Sequence, residues 1–175
     1  RYVAKIPSDK FTRYGHFEKY GMHLKNWFIT PARYENNGFT KYSNENLDDI
    51  ANGASDFDID LKTNGQTAIT SDLAIDNLSQ TTEETHIRLT GKNRNDFELI
   101  LEKESTYSSF KVNNLEVISN LKSGKFNDSI KSQIIKKVVE YSSTKIGQYP
   151  FEKIIISEAD YEKNPFYGLN QLPSF

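Results

Sequence analysis

The chain has 175 residues, of which 36% are hydrophobic and 13% aromatic, so it can build the core of one domain, or of one domain and part of a second. This composition excludes a disordered chain, because burial of so much apolar surface offsets the entropy lost on ordering. The 22 basic and 24 acidic residues give a net charge of −2, so nothing in the charge favours nucleic acid or an anionic bilayer as a partner.

From residue 1 to about 120, short runs of alternating apolar and polar residues are separated by turn residues, which is typical of an antiparallel β domain. In residues 57–61, for example, Phe57, Ile59 and Leu61 would face a core while the intervening aspartates face water. Residues 43–50 are predicted as an ordered loop or a single helical turn. The predicted strands are 2–6, 23–29, 57–61, 86–89, 97–101, 107–112 and 115–119, and the predicted turns are 36–38, 64–65, 91–95 and 113–114.

The period of the apolar pattern then changes. Between residues 127 and 146 the spacing becomes three to four, which predicts an amphipathic helix with one apolar stripe. Asn127 or Asp128 can cap its start, and Gly147 suits the left-handed backbone at its end. The stripe consists of Ile130, Ile134, Ile135, Val138, Val139, Tyr141 and Ile146.

Residues 151–157 follow as a β-branched strand that is apolar on both faces. Such a strand belongs to a sheet covered by further chain. We therefore predict an antiparallel β domain over residues 1–122 and the start of a second domain over 123–175.

No window has the ~18 consecutive apolar residues of a membrane span, and none has a signal-peptide layout. With Arg1 at one end and an aromatic, Pro-containing run at the other, we expect an excerpt of a larger protein.

Candidate metal and nucleophile sites are weak in this sequence. Its three histidines are His16, His23 and His86, and none has the His-Glu-x-x-His spacing of a zinc helix. His16 and His23 lie seven residues apart with Glu18 between them, which leaves a zinc site conceivable, although ordinary strand histidines are favoured. There are no cysteines and no Gly-x-Ser-x-Gly elbow.

Three aspartates within residues 56–60 imitate the first half of a calcium loop. Leu61, however, occupies the position where such a loop requires glycine, and no glutamate closes it. The solvated face of a strand is the favoured interpretation. The aspartates are Asp56, Asp58 and Asp60.

The carboxyl-terminal run offers the most specific candidate site. The 151–157 strand leads to Asn164-Pro165-Phe166-Tyr167 and then to Gly168. Many enzymes bring backbone groups to a substrate on such a glycine-containing loop, because glycine permits close approach. The alternative is a tight structural turn held by packed aromatic residues.

This run, with Tyr149-Pro150-Phe151-Glu152-Lys153 before it, resembles the aminopeptidase-N-type zinc metallopeptidases, the M-one family of gluzincins, and especially their divergent Bacteroidetes-like members. That family has an N-terminal β-saddle domain, a helix, a Tyr-Pro-[Phe/Tyr]-x-Lys strand and a Gly-[Ala/Gly]-Met-Glu-Asn-Pro loop. The segment from Gly168 to Pro173 is similar to that loop in position, in its first glycine and in its last proline. The stretches at 26–32, 42–43 and 56–61 are similar to the middle of such a β domain.

The resemblance implies a mostly β fold: an antiparallel β-saddle or sandwich followed by one amphipathic helix and the first strand of an α/β catalytic domain of the thermolysin type. It implies that Gly168, Leu169, Asn170 and Gln171 line the substrate cleft of the parent and pair with an extended peptide. Gln171 stands where the family has the glutamate that binds a free α-amine, and a neutral amide cannot form that charge-assisted pair.

The same resemblance places the His-Glu-x-x-His helix and its zinc beyond Phe175. This chain alone is then inactive and holds no cofactor, and its implied partners are a peptide substrate and the catalytic domain of the same protein. The alternative function is a β-sandwich binding or scaffold module of a larger protein without an active metal site. In either case we expect the edge of the strand containing Ile154 and Ile156 to self-associate when it is exposed.

Overall fold

The computed structural model describes residues 1–8, 15–19, 21–25, 27–29, 34–39, 53–122 and 127–159. Within these residues the chain is mostly β-strand in antiparallel sheets, with one long helix, which confirms the predicted fold class. The strands are β1 (Gly15–Phe17), β2 (Gly21–Lys25), β3 (Tyr34–Glu35), β4 (Gly38–Phe39), β5 (Ser55–Asn64), β6 (Ala68–Ser71), β7 (Ala74–Gln80), β8 (Glu84–Arg94), β9 (Glu98–Glu102), β10 (Ser108–Val112), β11 (Leu115–Ser119) and β12 (Lys153–Ile156); helix α1 is Asp128–Lys145.

The described residues fall into two compact units. Unit 1 comprises those up to Lys103, and unit 2 comprises those from Glu104 to Ala159. The boundary predicted between residues 122 and 123 lies within unit 2, and the domain division implied by the resemblance stays a prediction.

Besides the two-stranded sheet β3–β4, the described part of unit 1 contains two larger antiparallel sheets, in the orders β1–β2–β9–β6 and β5–β8–β7. Strand β5 alternates as predicted, with Phe57, Ile59 and Leu61 partly buried against the core and the aspartates between them exposed. Apolar side chains from both sheets meet in one core, as in a β-sandwich. The buried residues of this core are Leu24, Leu73, Ile87, Leu89, Phe97 and Leu99.

Asp72 and Arg94 form an ion pair where the chain passes from β6 to β7 and where β8 ends. Oδ1 of Asp72 also accepts a hydrogen bond of 2.9 Å from the backbone N–H of Glu98. Burial raises the pKa of the Asp72 carboxyl, while the Glu98 hydrogen bond and the charge of Arg94 act in the opposite direction. Asp72 therefore ties the β6–β7 corner to the end of β8 through Arg94 and to the start of β9 through Glu98.

Unit 2 is a β-hairpin followed by a βαβ connection. Strands β10 and β11 form the antiparallel hairpin across the predicted Asn113-Asn114 turn, where Asn113 has a φ of 54°. Helix α1 then connects β11 to β12, which pairs parallel to β11. The buried core residues of this unit are Val112, Leu115 and Val117, against which Phe110, Ile135, Val139, Ile154 and Ile156 pack.

Helix α1 begins and ends as predicted. Oδ1 of Asn127 accepts a hydrogen bond of 2.9 Å from the N–H of Ile130, which makes Asn127 the N-cap. At the other end, the N–H groups of Ile146 and Gly147 both donate to the carbonyl of Ser142, and Gly147 has a φ of +141°.

The predicted apolar stripe is only partly packed. Ile135 and Val139 pack against the core of unit 2. A second row, which we call the exposed stripe, is between 40% and 65% exposed. Of the predicted stripe, the core of unit 2 thus packs against Ile135 and Val139 and leaves the second row exposed. The exposed stripe consists of Ile130, Ile134, Val138 and Tyr141.

Three predicted elements differ from the structure. Residues 2–6 are not a strand, because the first pairing is made by Pro7 and Ser8 with His16. The strand predicted over 23–29 ends at Lys25, and the aromatic rings that follow it join the core of unit 1. The turn predicted at 91–95 is largely part of β8, where Gly91 lies against Leu73.

The predicted loop at 43–50 lies outside the described residues. The turns predicted at 36–38 and 64–65 are confirmed, with positive φ at Asn36, Asn37 and Gly65. Five strands were not predicted: β1, β3, β4, β6 and β7.

Candidate functional site

The residues predicted to line a substrate cleft, Gly168, Leu169, Asn170 and Gln171, lie outside the described residues. The described chain reaches Ala159, just after the carboxyl end of β12. The described residues that are nearest to the predicted site along the chain are therefore those at the end of β12.

This place is the carboxyl edge of a parallel strand pair. Strands β11 and β12 end side by side, with Ser119 opposite Ile156. Helix α1 starts near the same edge, because Nζ of Lys131 in its first turn donates a hydrogen bond of 2.9 Å to the carbonyl of Leu121. In open α/β sheets, ligands bind outside the carboxyl ends of the strands.

A cluster of hydrogen-bonded side chains occupies this edge, and Asn120 is its centre. Asn120 is only 5% exposed. Its Oδ1 accepts a hydrogen bond of 2.8 Å from the backbone N–H of Glu158, and its Nδ2 donates one of 3.1 Å to Oγ1 of Thr106. One side chain thus joins the segment before β10, the end of β11 and the exit of β12. We call this group the exit cluster; it consists of Thr106, Tyr107, Asn120, Ser157 and Glu158.

The remaining members of the exit cluster add further links to the chain after β12. The backbone N–H of Lys122 donates to Oε2 of Glu158 at 2.8 Å. The hydroxyl of Tyr107 lies 3.2 Å from Oγ of Ser157, which itself accepts a hydrogen bond of 3.1 Å from the N–H of Ala159. Ser157 is 4% exposed. These bonds hold a backbone in place; they do not pair a nucleophile with a base.

Sequence reasoning missed the exit cluster. The local signal was present, since polar residues directly follow two apolar strands at Asn120 and Ser157. Their proximity depends on the parallel pairing of β11 with β12, whose partners lie more than thirty residues apart in the chain. Only the pairing brings Asn120 to Glu158.

The conceivable zinc ligands His16 and His23 lie on opposite faces of the β1–β2 pair. His23 is opposite Gly15, whereas His16 is opposite Met22, and adjacent residues of a strand point to opposite sides. His23 is buried with its ring 4.8 Å from that of Phe17, and His16 is exposed. The two imidazoles therefore do not converge on one ion.

The calcium-like aspartates have protein partners instead. Arg88 donates from Nε to Oδ1 of Asp58 at 2.9 Å and from Nη2 to Oδ2 at 2.7 Å. This fork-like hydrogen bonding lowers the pKa of Asp58 from its usual value and raises that of Arg88. Asp60 contacts His86, and Asp56 accepts a hydrogen bond of 2.9 Å from the N–H of Asn93.

Across the part of the chain that the structure describes, no three His, Cys, Asp or Glu side chains are grouped so that they could hold a metal ion. The described residues thus provide no ligand set that fits zinc, and the resemblance places those ligands beyond Phe175.

No protein-family model, curated protein or solved structure matches the chain. In the described ranges up to residue 159, no helix has both the length and the apolar character needed to cross a membrane.

Proposed function

We propose that this chain is the amino-terminal part of an aminopeptidase-like zinc metallopeptidase, and that it shapes one side of the peptide cleft without supplying a catalytic group. One observation carries the proposal: β12, which begins at Lys153, the last residue of the family-like run from Tyr149, leads out of a parallel pair at its carboxyl edge. That edge is where α/β sheets bind ligands. The chain continues from there to Gly168.

In this proposal the residues of the glycine loop bind substrate through their backbone. Gly168 allows main-chain groups to approach an extended peptide, which adds to them as a strand. Gln171 offers a neutral amide where a carboxylate would bind a free α-amine. We therefore expect the parent to discriminate only weakly between free and blocked peptide amino termini.

The zinc ligands of such a peptidase would lie beyond Phe175. Bound there, zinc supplies the activated water for amide hydrolysis. The residues of this chain orient the peptide: the exit cluster fixes the backbone after β12, and residues 168–171 contact the substrate.

A second candidate is a β-sandwich binding or scaffold module that docks onto a neighbour. Two observations favour it: the exposed stripe of α1, and the position of β12 at the edge of its sheet. An apolar edge strand can pair with another copy of the chain. A strictly monomeric sedimentation profile at high protein concentration would count against self-association through Ile154–Ile156.

The sequence encoded after Phe175 discriminates between the two candidates. A His-Glu-x-x-His helix within some tens of residues, with a downstream glutamate, is the expected result for the peptidase. A continuation that lacks this motif would reject the peptidase and favour the module.

A further inference from the structure

We infer that the exposed stripe of α1 is a docking surface for an acidic amphipathic helix of a partner protein. The inference goes beyond the peptidase proposal and does not depend on it, because it rests on the residues of α1 alone. Two observations carry it: the spacing of the apolar residues in the stripe, and the charges beside them.

The spacing of the stripe is that of a contact between two helices. Ile130, Ile134 and Val138 follow one another at intervals of four residues, and Tyr141 continues the row. Side chains four residues apart form a ridge on a helix surface, and such a ridge fits the groove of a second helix. The row rises about 16 Å along α1. A partner helix of about three turns would therefore cover it.

The stripe remains accessible because the core of unit 2 uses a different face of α1. Ile135 and Val139 pack against that core, whereas the residues of the stripe are between 40% and 65% exposed. A contiguous row of exposed apolar side chains on a folded surface is typical of an interaction site.

The charges beside the stripe specify the chemistry of the partner. Lys137 lies three residues after Ile134, and Lys145 lies four residues after Tyr141, so both lysines border the row. Both are exposed, and neither has a carboxylate partner among the described residues. The border of the stripe is therefore positively charged.

The two acidic side chains of α1 do not neutralise this border, because each is paired with another lysine of the helix. Oδ1 of Asp128 lies 3.0 Å from Nζ of Lys131, and Oε1 of Glu140 lies 3.9 Å from Nζ of Lys136. A partner helix that carries Asp or Glu beside its own apolar row complements the stripe in both polarity and charge.

Two other occupants fit the stripe less well. In a symmetric pair of copies each border of the stripe meets its own equivalent, so Lys137 would face the same lysine of the other copy, and like charges at an interface are unfavourable. Helices that lie on a bilayer surface carry Trp, Phe or Leu on their apolar face. The exposed stripe contains none of these residue types.

The first test is selection from a display library of helical peptides, with the full 175-residue chain as the target. The library fixes apolar residues at the spacing of the stripe and randomises the positions that border them. We expect the selected peptides to carry Asp or Glu at those positions. Their binding should fall about tenfold or more in Ile134→Gln, and by less than about twofold in the matched control Gln133→Ala, outside the row.

Ile134 is 48% exposed, so Ile134→Gln should fold, and far-UV circular dichroism checks this. If it does not fold, Val138→Gln, at a residue that is 58% exposed, provides the same comparison. Failure to select any peptide, basic or neutral residues at the bordering positions, or binding that the folded variant leaves unchanged would overturn the inference.

The second test compares two adjacent lysines by fluorescence anisotropy of a selected acidic peptide at low salt. Lys137→Glu reverses the charge at the border of the stripe, whereas Lys136→Glu reverses that of the lysine paired with Glu140. We expect the affinity to fall about tenfold in Lys137→Glu and less than about threefold in Lys136→Glu. Equal losses in the two variants would overturn the assignment of an acidic partner.

Two measurements on the chain without peptide test the other occupants. If the chain dimerises in sedimentation equilibrium and Ile134→Gln abolishes the dimer, the stripe belongs to a second copy and the inference is overturned. If the chain binds vesicles that contain phosphatidylserine and the same variant does not, the stripe belongs to a membrane surface, which also overturns it. We expect Ile134→Gln to change neither the oligomeric state nor vesicle binding.

Discussion

Units 1 and 2 differ in how completely they cover their own apolar residues. In unit 1 two sheets enclose residues such as Leu89 and Leu99, which have no exposed surface. In unit 2 a single helix lies on a three-stranded sheet, and none of its own residues is fully buried. Unit 1 therefore has a core of its own, enclosed between two sheets. Unit 2 has a smaller core, and it leaves the exposed stripe of α1 and the outer edge of β12 uncovered.

The largest loss of stability should come from a substitution in the buried core of unit 1. Leu89→Ala creates a cavity at a site with 0% exposure and should lower the free energy of unfolding by about 2–5 kcal/mol. Leu78→Ala, at a leucine of β7 that is 54% exposed, is the matched control and should cost less than about 1 kcal/mol. Urea unfolding followed by the fluorescence of Trp27, the single tryptophan, reports on unit 1. If the two variants lose equal free energy of unfolding, Leu89 does not lie in a core that is better enclosed than the surface of β7.

A smaller loss is expected where β8 approaches the corner after β6. A Cβ on Gly91 would lie 2.4 Å from Cδ2 of Leu73, which is buried. Gly91→Ala should therefore destabilise unit 1 by about 1–3 kcal/mol through overpacking. Gly53→Ala, where no atom lies within 4 Å of the added carbon, should leave the urea midpoint nearly unchanged. A neutral Gly91→Ala would mean that Leu73 has room to move.

Sequence predicted the elements whose signals are local. The alternation of β5, the Asn113-Asn114 turn and the capped helix α1 all follow from residues close together in the chain. Strand β7 was missed because its residues are all exposed and a bulge between Ile75 and Asn77 interrupts its alternation. The apolar pattern of α1 was recognised, but the sequence does not show that only Ile135 and Val139 would be packed in unit 2.

The candidate site shows the same contrast between features with a local sequence signal and features that depend on nonlocal contacts. The glycine loop was singled out from residue type alone, and its position stays a prediction. Asn120 and Glu158 could not be paired from the sequence, because β11 and β12 might equally have paired with other strands. Nonlocal pairing, and not residue type, creates the exit cluster.

Adjacent residues of α1 allow a direct comparison of its packed and exposed faces. Ile135→Ala should destabilise unit 2 by about 1–2 kcal/mol, because Ile135 packs against the core there. Ile134→Ala, on the exposed stripe at 48% exposure, should change stability by less than about 0.5 kcal/mol, helped by the helix propensity of alanine. Far-UV circular dichroism of the helix during urea unfolding measures both. A larger loss in Ile134→Ala would show that the stripe is covered in solution.

The smallest effect concerns the exposed face of the β5–β8 pair in unit 1. Because the hydrogen bonds from Arg88 lower the pKa of Asp58 from its usual value, the ionised carboxylate stabilises the fold above that usual value, and this stabilisation is lost as the pH falls through the lowered pKa. Near neutral pH, Asp58→Asn should have a slightly lower urea midpoint than the wild-type chain, and the gap should close on acidification. If the difference between the two urea midpoints does not depend on pH, the ion pair between Asp58 and Arg88 is not its cause.

The most direct test of the central claim compares bound zinc and cleavage of aminoacyl fluorogenic substrates for two purified, dialysed proteins. One is the 175-residue chain, and the other is the polypeptide that continues past Phe175. We expect no zinc and no cleavage for the chain, and about one zinc with chelator-sensitive cleavage for the longer polypeptide. Stoichiometric zinc or repurifiable activity in the chain itself would contradict the claim that its role is to position substrate for chemistry elsewhere.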